Sequence, residues 1–437
     1  MTVSGSNAGV ASSAELAGPG WSRLAPILAV HFIGTLGFSI ALPFLVFLVT
    51  DFGGAPWTYG IVGATYSASQ LVGAPILGRW SDRVGRVRVL ALSQAGTLTA
   101  WLVFLVALHL PLHELGSFAG ATITVPLVLV FLARMLDGLT GGNISVASAY
   151  VADLTRGDEQ SRQVAFGRMG MAASLGFTIG PAIAGGLGGI GDGYTASVAA
   201  AAIVSGLAML LCLTLEEPRQ RCPDGPPEQP AVSRVLGQQQ RRCDRAPDSR
   251  ERSSLRQPRV VGFLVATFVL FLAFNLFYAG FPIHATQTIG WSAGEMGAFF
   301  ALLSGVMIFA QGPLLSRVSK RLPRSVVFAS GVTLLLAAFV VFPTESSTPQ
   351  YAGAVLFAAG NGIAWPTFQA AVASAASDED QGAVQGAVAS AGALASIAGL
   401  TAGGIAYPAL GGSLFLVGAG LFAVVLLATP ALFRSRR

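Results

Sequence analysis

Charged residues are scarce in this sequence of 437 residues, of which only 11% are Asp, Glu, Lys or Arg. Water-soluble globular proteins usually carry about 25% charged residues. Because 53% of the residues are hydrophobic, there is too little polar surface to coat a soluble body of this size. The shortage excludes an ordinary soluble protein and predicts a chain that crosses the lipid bilayer several times.

Cysteine is also scarce, with three residues in the whole sequence. Cys212 lies at the end of an apolar stretch, whereas Cys222 and Cys243 lie in a polar one. An odd number of thiols in a reducing compartment argues against a framework of disulfide bonds. The first twenty residues have no basic start, and the apolar stretch that follows is too long for a signal-peptide core. We therefore expect an uncleaved first helix.

Lysine and arginine are missing from every second loop between the apolar stretches. The loops without them lie around Asp51 and at 109–114, 188–193, 284–291 and 345–350. Basic residues concentrate in the cytoplasmic loops of membrane proteins. The alternation predicts a multi-pass protein of the inner (plasma) membrane with both termini in the cytoplasm. It also accounts for the net charge of +5 without nucleic acid as a partner.

Twelve apolar segments are long enough to cross about 30 Å of hydrocarbon as helices. They cover residues 25–49, 57–77, 89–109, 123–152, 164–188, 194–215, 260–283, 293–315, 324–342, 350–374, 383–408 and 412–433. Residues 216–258 are rich in Pro, Arg, Gln and Asp and cannot bury a core. We expect a disordered cytoplasmic linker there, between a first half of six helices (1–215) and a second half (259–437).

The two halves resemble each other in sequence. Residues 75–86 (PILGRWSDRVGR) align without gaps on residues 313–324 (PLLSRVSKRLPR), with the proline, one serine and three arginines in common. Internal repeats of this kind predict two pseudo-repeated bundles with a substrate site between them near the bilayer midplane. The expected fold is an all-α membrane protein with twelve transmembrane helices in two six-helix bundles.

A short charged turn at 78–88 joins the second and third apolar segments. Its residues Gly78, Asp82, Arg83, Gly85 and Arg86 follow the pattern G-x-x-x-D-R-x-G-R. This turn resembles the loop 2–3 signature of the major facilitator superfamily of transporters. The resemblance implies a cytoplasmic gate in which these residues hold the outward-facing state.

The resemblance also assigns Asp153, at the cytoplasmic end of the fourth segment, to this gate. In the family an acid at that place commonly engages the arginines of the turn, so Arg83 or Arg86 is its expected partner. The alternative is a solvated charge at a helix end. By the same resemblance, Asp82 is expected against the amino end of the eleventh helix, where the helix dipole is positive.

Two opposite charges, Arg134 and Asp137, lie deep in the fourth apolar segment. A charge at the bilayer centre costs about 2.5–3.5 kcal/mol, so neither side chain is expected to face lipid. Residues three apart share a helix face and can pair. The segment also matches the superfamily pattern R-x-x-x-G-x-x-G. We interpret the two as a proton-exchange pair that faces a central cavity; the alternative is an ion pair that only orients the helix.

The first segment resembles that of the tetracycline and multidrug proton antiporters in the run GTLGFSIALP at 34–43. Those antiporters usually have an acid where Gly34 stands, and this chain has none there. His31 lies three residues earlier on nearly the same helix face and could exchange a proton near neutral pH. It is therefore a candidate partner in proton coupling. The alternative is a histidine bonded to a neighbouring backbone group or hydroxyl.

The fifth segment contains Gly176, Gly180, Pro181 and Gly185. They resemble the signature G-x-x-x-G-P-x-x-G-G of antiporter branches, with one extra residue before the glycine pair. Small residues let membrane helices approach closely, and proline bends a helix. Ordinary helix packing would explain the glycines alone, whereas the Gly-Pro pair favours an exporter.

Neutral polar and aromatic side chains are the candidates for the wall of a substrate cavity. They are Asn143, Asn275, Tyr278, Gln311, Asn361, Trp365 and Gln385. Some are expected to line the cavity and others to form hydrogen bonds between helices. Their neutrality predicts a substrate held by hydrophobic and aromatic contacts with few hydrogen bonds.

These patterns predict a transporter similar to the drug:proton antiporters, which would export small amphipathic or drug-like molecules against protons by alternating access. Proton-coupled uptake or facilitated transport of a small nutrient or metabolite is the alternative. A receptor or scaffold would have no need of a buried Asp–Arg pair. No nucleophile–base set, metal motif or cofactor loop supports an enzyme, so we predict neither cofactor nor metal and expect a monomer.

Overall fold

The computed structural model describes residues 21–40, 44–141, 143–155, 159–187, 194–218, 257–375 and 381–433, and most of them are helical. The first helices are α1 (Trp21–Ile40), α2 (Leu45–Asp51), α3 (Pro56–Val84), α4 (Arg86–His109), α5 (Val125–Thr140), α6 (Asn143–Leu154), α7 (Glu159–Leu187) and α8 (Thr195–Cys212). The later ones are α9 (Pro258–His284), α10 (Ala293–Phe309), α11 (Leu315–Val318), α12 (Arg324–Val341), α13 (Ser347–Ala373), α14 (Gln381–Leu410) and α15 (Ser413–Leu432). Two π-helical turns, Ala285–Ile289 and Ala310–Leu314, follow α9 and α10.

Each of the twelve predicted segments coincides with helix. Nine helical stretches of the described residues are long and apolar enough to cross a membrane. The remaining three predicted segments correspond to α1 with α2, to α3 and to α13. The all-α membrane class is therefore confirmed, and the helices agree with a count of twelve.

Two predicted segments are divided rather than continuous. The first is split between α1 and α2, and the fourth between α5 and α6. In the fourth, Gly141 follows the last residue of α5 and lies outside the helix, as its low helix propensity favours. The freed carbonyl of Gly141 accepts a hydrogen bond from the amide of Gln70 at 3.3 Å.

The charged segment 78–88 is mostly helical, so the prediction of a turn along its whole length was wrong. Helix α3 continues to Val84 and α4 begins at Arg86, with only Gly85 between them. Gly85 has φ 116° and ψ 147°, a conformation that residues with a Cβ rarely adopt. The helix persists this far because residues 79–84 contain no glycine or proline that would end it.

A β-hairpin follows the third segment, where the sequence predicted only a loop. Strand β1 (Glu114–Phe118) pairs antiparallel with β2 (Ala121–Thr124). The ring of Trp57 in α3 contacts Phe118 edge-on, and its indole nitrogen donates to the carbonyl of Ala119 at 3.0 Å. We call this side of the molecule the hairpin end and the opposite side, where Gly85 lies, the arginine end.

The helices before residue 219 and those after residue 256 pack mainly among themselves. In the first group α7 and α8 pack on α1, and α3 and α4 pack on α5. In the second group α14 and α15 pack on α9, and α13 packs on α12. The two groups meet where α3 contacts α14 and where α7 contacts α10.

Close contacts between the groups lie toward the hairpin end. A Cβ at Gly60 of α3 would lie 2.4 Å from the carbonyl oxygen of Leu400 in α14. A Cβ at Gly185 of α7 would lie 2.3 Å from the carbonyl oxygen of Gly297 in α10. Only glycines permit backbones to approach this closely.

The groups separate toward the arginine end. Thr178 of α7 donates to the sulfur of Met307 in α10 at 3.7 Å, but Met171, two turns earlier on the same face, is 60% exposed. A Cβ would meet no atom within 4 Å at several glycines toward this end, among them Gly78, Gly170, Gly312 and Gly386. The space between the groups is therefore open at the arginine end.

Candidate functional site

Arg134 and Asp137 lie buried together in α5, as their spacing predicted. Arg134 Nη1 donates to Asp137 Oδ2 at 3.5 Å, and the side chains are 2% and 7% exposed. Helix α5 is capped by Thr124, whose hydroxyl accepts from the amide of Leu127 and donates to the carbonyl of Phe52. The cap fixes the start of the helix and hence the depth at which the pair lies.

Aromatic and polar side chains lie around the pair. The guanidinium carbon of Arg134 lies 5.4 Å from the ring centre of Trp101, 5.3 Å from Phe104 and 5.9 Å from Tyr66. Aromatic faces attract a guanidinium, most strongly where water is excluded. The side chain of Thr97 in α4 lies beside the carboxylate of Asp137. The arrangement stabilises two charges at a place where lipid or a dry core would not.

Glycines bring α3 and α4 close enough to α5 to enclose the pair. A Cβ at Gly138 would lie 2.4 Å from the carbonyl oxygen of Tyr66, and one at Gly73 would lie 2.2 Å from that of Leu139. A Cβ at Gly96 of α4 would lie 2.2 Å from the side chain of Thr140 in α5. Close packing thus explains why residue 138 is a glycine, because a side chain there would push α3 away.

Arg86 is the centre of a charged cluster at the arginine end. Its guanidinium contacts Asp82 at 2.6 Å and Asp153 at 2.9 Å, and it donates to the hydroxyl of Ser81 at 2.7 Å. Of the two arginines expected to engage Asp153, the structure therefore places Arg86 there, while Arg83 is exposed. The pairing joins the ends of α3, α4 and α6.

Glu217 extends this cluster, although the sequence placed it in the disordered linker. Its carboxylate accepts hydrogen bonds from the backbone amides of Arg86 and Val87, the first residues of α4. The hydroxyl of Tyr150 donates to the carbonyl of Glu216 at 2.9 Å. A carboxylate satisfies the free amides of a helix start and interacts well with its dipole. The linker prediction was therefore wrong for 216–218 and for residue 258, which begins α9; residues 219–256 lie outside the described ones.

The expected contact of Asp82 with the eleventh helix falls at the edge of the described residues. Asp82 is 57% exposed and paired to Arg86 within the same turn. The eleventh helix, α14, begins at Gln381, and residues 376–380 before it lie outside the description. The dipole contact remains a prediction.

The glycines of the fifth segment are contact positions of α7. A Cβ at Gly176 would lie 2.7 Å from a backbone carbonyl of α1, and one at Gly180 would overlap the hydroxyl of Ser39. That hydroxyl donates to the carbonyl of Gly176 at 2.8 Å. Gly185 serves the contact with α10, and Pro181 is buried within α7, which continues through it.

Several candidate cavity residues bridge helices of the second group. The amide of Asn275 in α9 donates to the hydroxyl of Ser396 in α14 at 3.0 Å. Asn361 in α13 donates to the sulfur of Met307 in α10 at 3.9 Å. These contacts match the expectation that some of the polar residues form hydrogen bonds between helices.

One of the other candidates lies at the contact between the two groups of helices, and the rest are packed against rings or partly buried. The backbone carbonyl of Tyr278 accepts from the hydroxyl of Tyr59 at 2.8 Å, across the two groups. Trp365 packs between two rings, 5.2 Å from Phe271 and 6.0 Å from Phe368. Gln311 and Gln385 are partly buried, and the side chain of Asn143 lies outside the described residues.

Comparison with known proteins agrees with this architecture. The family model of the Major Facilitator Superfamily matches residues 27–400 and, separately, 263–437. The chain belongs to the major facilitator superfamily. The class G tetracycline resistance protein of Vibrio anguillarum is 30% identical over 427 residues, covering 92% of this chain and 96% of that protein.

A human member is also similar. Major facilitator superfamily domain-containing protein 10 of Homo sapiens is 30% identical over 385 residues, covering 83% of this chain and 76% of that protein. The crystal structure of the human organic anion transporter MFSD10 (TETRAN) has a TM-score of 0.63 at 21% identity, covering 94% of this chain and all of that one. Likeness at that identity shows the fold. The protein is thus a multi-pass membrane transporter of small molecules.

The sequence alone did not identify the uncharged residues that surround the Arg134–Asp137 pair in this transporter. Tyr66 and Gln70 lie four residues apart on α3, and the amide of Gln70 donates to the hydroxyl of Tyr66 at 3.3 Å. Thr97 and Trp101 repeat this spacing on α4. Uncharged residues at helical spacing are indistinguishable from ordinary packing until the facing helix is known.

His31 lies apart from the pair in this structure. It is buried in α1, and its backbone carbonyl accepts from the hydroxyl of Thr35 at 2.9 Å. No hydrogen bond or ion pair joins His31 to Asp137 among the described residues. Its role in coupling remains a prediction.

A second histidine is buried at the hairpin end, where the sequence suggested a loop. His284 is the last residue of α9 and contacts the hydroxyl of Tyr407 at 2.7 Å and the carbonyl of Thr344 at 3.0 Å. Thr288 in the following π-turn also contacts Tyr407, at 3.1 Å. The cluster holds Tyr407 at the contact between the two groups.

Proposed function

We propose that this transporter exports small amphipathic or drug-like molecules in exchange for protons by alternating access. The buried Arg134–Asp137 pair carries the proposal. A membrane protein rarely keeps an ionisable pair in its interior unless the charges are used. Similarity to tetracycline resistance proteins over nearly the whole chain supports export.

Proton exchange at Asp137 would change the charge of the site by one unit. With Asp137 ionised, the pair is neutral and Arg134 is held in place. Protonation removes the negative charge that balances Arg134, so the site then carries one net positive charge. The two protonation states therefore differ in how well the site accepts a substrate and in which packing of the helices is stable.

The arginine end would face the cytoplasm, because basic residues concentrate on that side of membrane proteins. The open space between the groups would then make this an inward-facing arrangement. In the outward-facing state the arginine end closes, and the exposed Asp82 reaches the positive end of α14 while Arg86 and Asp153 hold α3, α4 and α6 together. We propose that residues 1–215 and 259–437 rock as two halves about the hairpin end.

The substrate would be held by aromatic and hydrophobic contact. Phe271 and Trp365 offer ring surface beside the amides of Asn275 and Asn361, which are already bonded to other helices. A wall of this kind suits a flat or amphipathic compound better than a sugar or an amino acid, which needs several free polar partners.

Everted membrane vesicles with an imposed, acid-inside pH gradient test the proposal. Wild type, Asp137→Asn and Asp51→Asn are compared while lipophilic cations, neutral drugs, organic anions and tetracyclines are added singly. Asp51 is a matched control, because it is an exposed acid at the hairpin end. We expect at least one compound to trigger proton efflux in wild type and Asp51→Asn but not in Asp137→Asn.

Other outcomes point elsewhere. Proton efflux that survives Asp137→Asn would move coupling to His31 or another group. Silence across the panel, together with accumulation of a polar nutrient or metabolite driven by the opposite gradient, would replace export with uptake. Equilibration of a compound across the membrane without any imposed gradient would indicate facilitated transport.

A further inference from the structure

Three polar residues of α4 form a buried stripe beside the ion pair. Gln94, Thr97 and Trp101 follow each other at three- and four-residue spacing and therefore share one helix face. They are 0%, 8% and 1% exposed. Thr97 lies beside Asp137 and the ring of Trp101 lies against Arg134, so the stripe adjoins both charges. We call these three residues the α4 polar stripe.

Two members of the stripe carry hydrogen-bonding atoms that no described protein group satisfies. These atoms are Nε2 and Oε1 of Gln94 and Nε1 of Trp101. Leaving a buried donor or acceptor unpaired costs about 1–3 kcal/mol. Buried polar atoms in folded proteins nearly always have a partner, which is ordered water when the protein offers none. Three such atoms within two turns of one helix therefore call for a small polar ligand.

The position of the stripe suggests what the ligand does. Ser93 donates to the carbonyl of Thr140, and Gly96 touches the side chain of the same threonine. Gln94 thus lies level with the last turn of α5, one turn nearer the arginine end than Asp137. A chain of hydrogen bonds along the stripe would lead from the acid toward the end where the molecule is open.

We propose that the α4 polar stripe binds water molecules that pass protons between Asp137 and the arginine end. Water both donates and accepts, as an amide, a hydroxyl and an indole N–H together require. A metal cation is disfavoured by the guanidinium of Arg134 and by the two N–H donors. The transport part of this inference rests on the proposed proton-carrying role of Asp137, whereas the binding of water does not.

Hydroxyl-radical footprinting of the detergent-solubilised protein tests the water site directly. Radicals formed from bound water oxidise the indole next to it, so burial alone does not protect a hydrated tryptophan. Trp291 is the internal control, because it is 4% exposed and its nitrogen donates to Ser347. With water held at the stripe, we expect Trp101 to be oxidised about tenfold faster than Trp291. Equal, slow oxidation of the two would overturn the inference.

Gln94→Met keeps the volume of the side chain and removes both amide atoms. We expect oxidation of Trp101 to fall to the rate of Trp291 in this variant. Ser304→Ala is the matched control, since it also removes a buried, unsatisfied atom, but in α10. Oxidation of Trp101 that stays fast in Gln94→Met would show that Gln94 does not help to hold the water and would overturn the proposed path through it.

Substrate-driven proton efflux in vesicles then separates this inference from the proposed function. Gln94→Met should slow proton efflux about tenfold while the affinity for the triggering compound is unchanged. If footprinting supports bound water but Asp137→Asn still couples, the proposed function fails and the water site remains. If Asp137→Asn loses coupling but Gln94→Met does not slow it, the proton takes another path and this inference fails.

Discussion

At the scale of single residues, the ion pair stabilises the protein only as long as both partners are present. Moving a charge out of water costs several kcal/mol, which the partner charge and the surrounding hydrogen bonds offset. Around Arg134 and Asp137 the offset comes from three rings and from Thr97. Removing one charge of the pair should therefore lower the stability of the protein more than removing both.

We expect Arg134→Leu to destabilise the protein by about 3–5 kcal/mol, because it leaves the carboxylate of Asp137 buried without a counter-charge. The double variant Arg134→Leu/Asp137→Leu should recover much of that loss. Thermal unfolding of the detergent-purified variants measures both. A double variant no more stable than Arg134→Leu would mean that the carboxylate is neutral in the folded protein and needs no counter-charge.

Glu217 is the second residue whose effect can be isolated. Glu217→Ala removes the cap of α4 and should lower stability by about 1 kcal/mol, the usual value for a lost helix cap. It should also raise proteolysis beside Gly85. The neighbouring Glu216→Ala is the control, because only the backbone of that residue is bonded. Equal effects of the two variants would show that the Glu217 cap does not hold the start of α4.

At the scale of elements, glycines decide where helices touch. Gly185 and Gly186 are neighbours on α7 with different surroundings: the first lies against Gly297 of α10, whereas a Cβ on the second would meet nothing within 4 Å. From the sequence alone, these two adjacent glycines cannot be told apart. The facing helix distinguishes them, so the same substitution should disturb the packing at Gly185 and leave it unchanged at Gly186.

We expect Gly185→Val to force α7 away from α10 and to weaken closure of the hairpin end. Gly186→Val should leave closure unchanged. Substrate-driven proton flux and thermal unfolding report the difference. Similar behaviour of the two variants would mean that the contact between α7 and α10 tolerates a side chain.

At the scale of the whole molecule, the arrangement has one close end and one open end. Thr178 and Met171 lie on the same face of α7 and differ in exposure, 2% against 60%. The face is thus covered near the hairpin end and bare near the arginine end. A rocking motion that closes the arginine end would cover Met171.

Cysteine labelling checks this directly in a background with Cys222→Ser and Cys243→Ser. We expect Met171→Cys to react quickly with a membrane-impermeant thiol reagent that is added on the side of the membrane where the arginine end lies. Thr178→Cys should react slowly. Adding Gly185→Val should slow labelling of Met171→Cys, because it disfavours the state that exposes it. Fast labelling from the hairpin end would reverse the assignment of the open side.

Much of the fold was predictable because it depends on local composition. Apolar length marks the membrane segments, and the cost of a buried charge explains why Arg134 and Asp137 pair. The extent of helix α3 and the hairpin at 114–124 were missed. The hairpin left a weak signal, the run Thr122-Ile123-Thr124 after a glycine, that a search for membrane segments passes over.

The sequence by itself determined the membrane class, the twelve segments, the buried ion pair and the family. Each follows from hydrophobicity, charge or short-range spacing, which act within a few turns of helix. Only the tertiary structure decided that Arg86 engages Asp153, that Glu217 caps α4, that Gln94 and Trp101 have no hydrogen-bond partner for the atoms named above among the described protein groups, and that the arginine end is open. Those features join distant parts of the chain, and their geometry depends on how whole helices pack against each other.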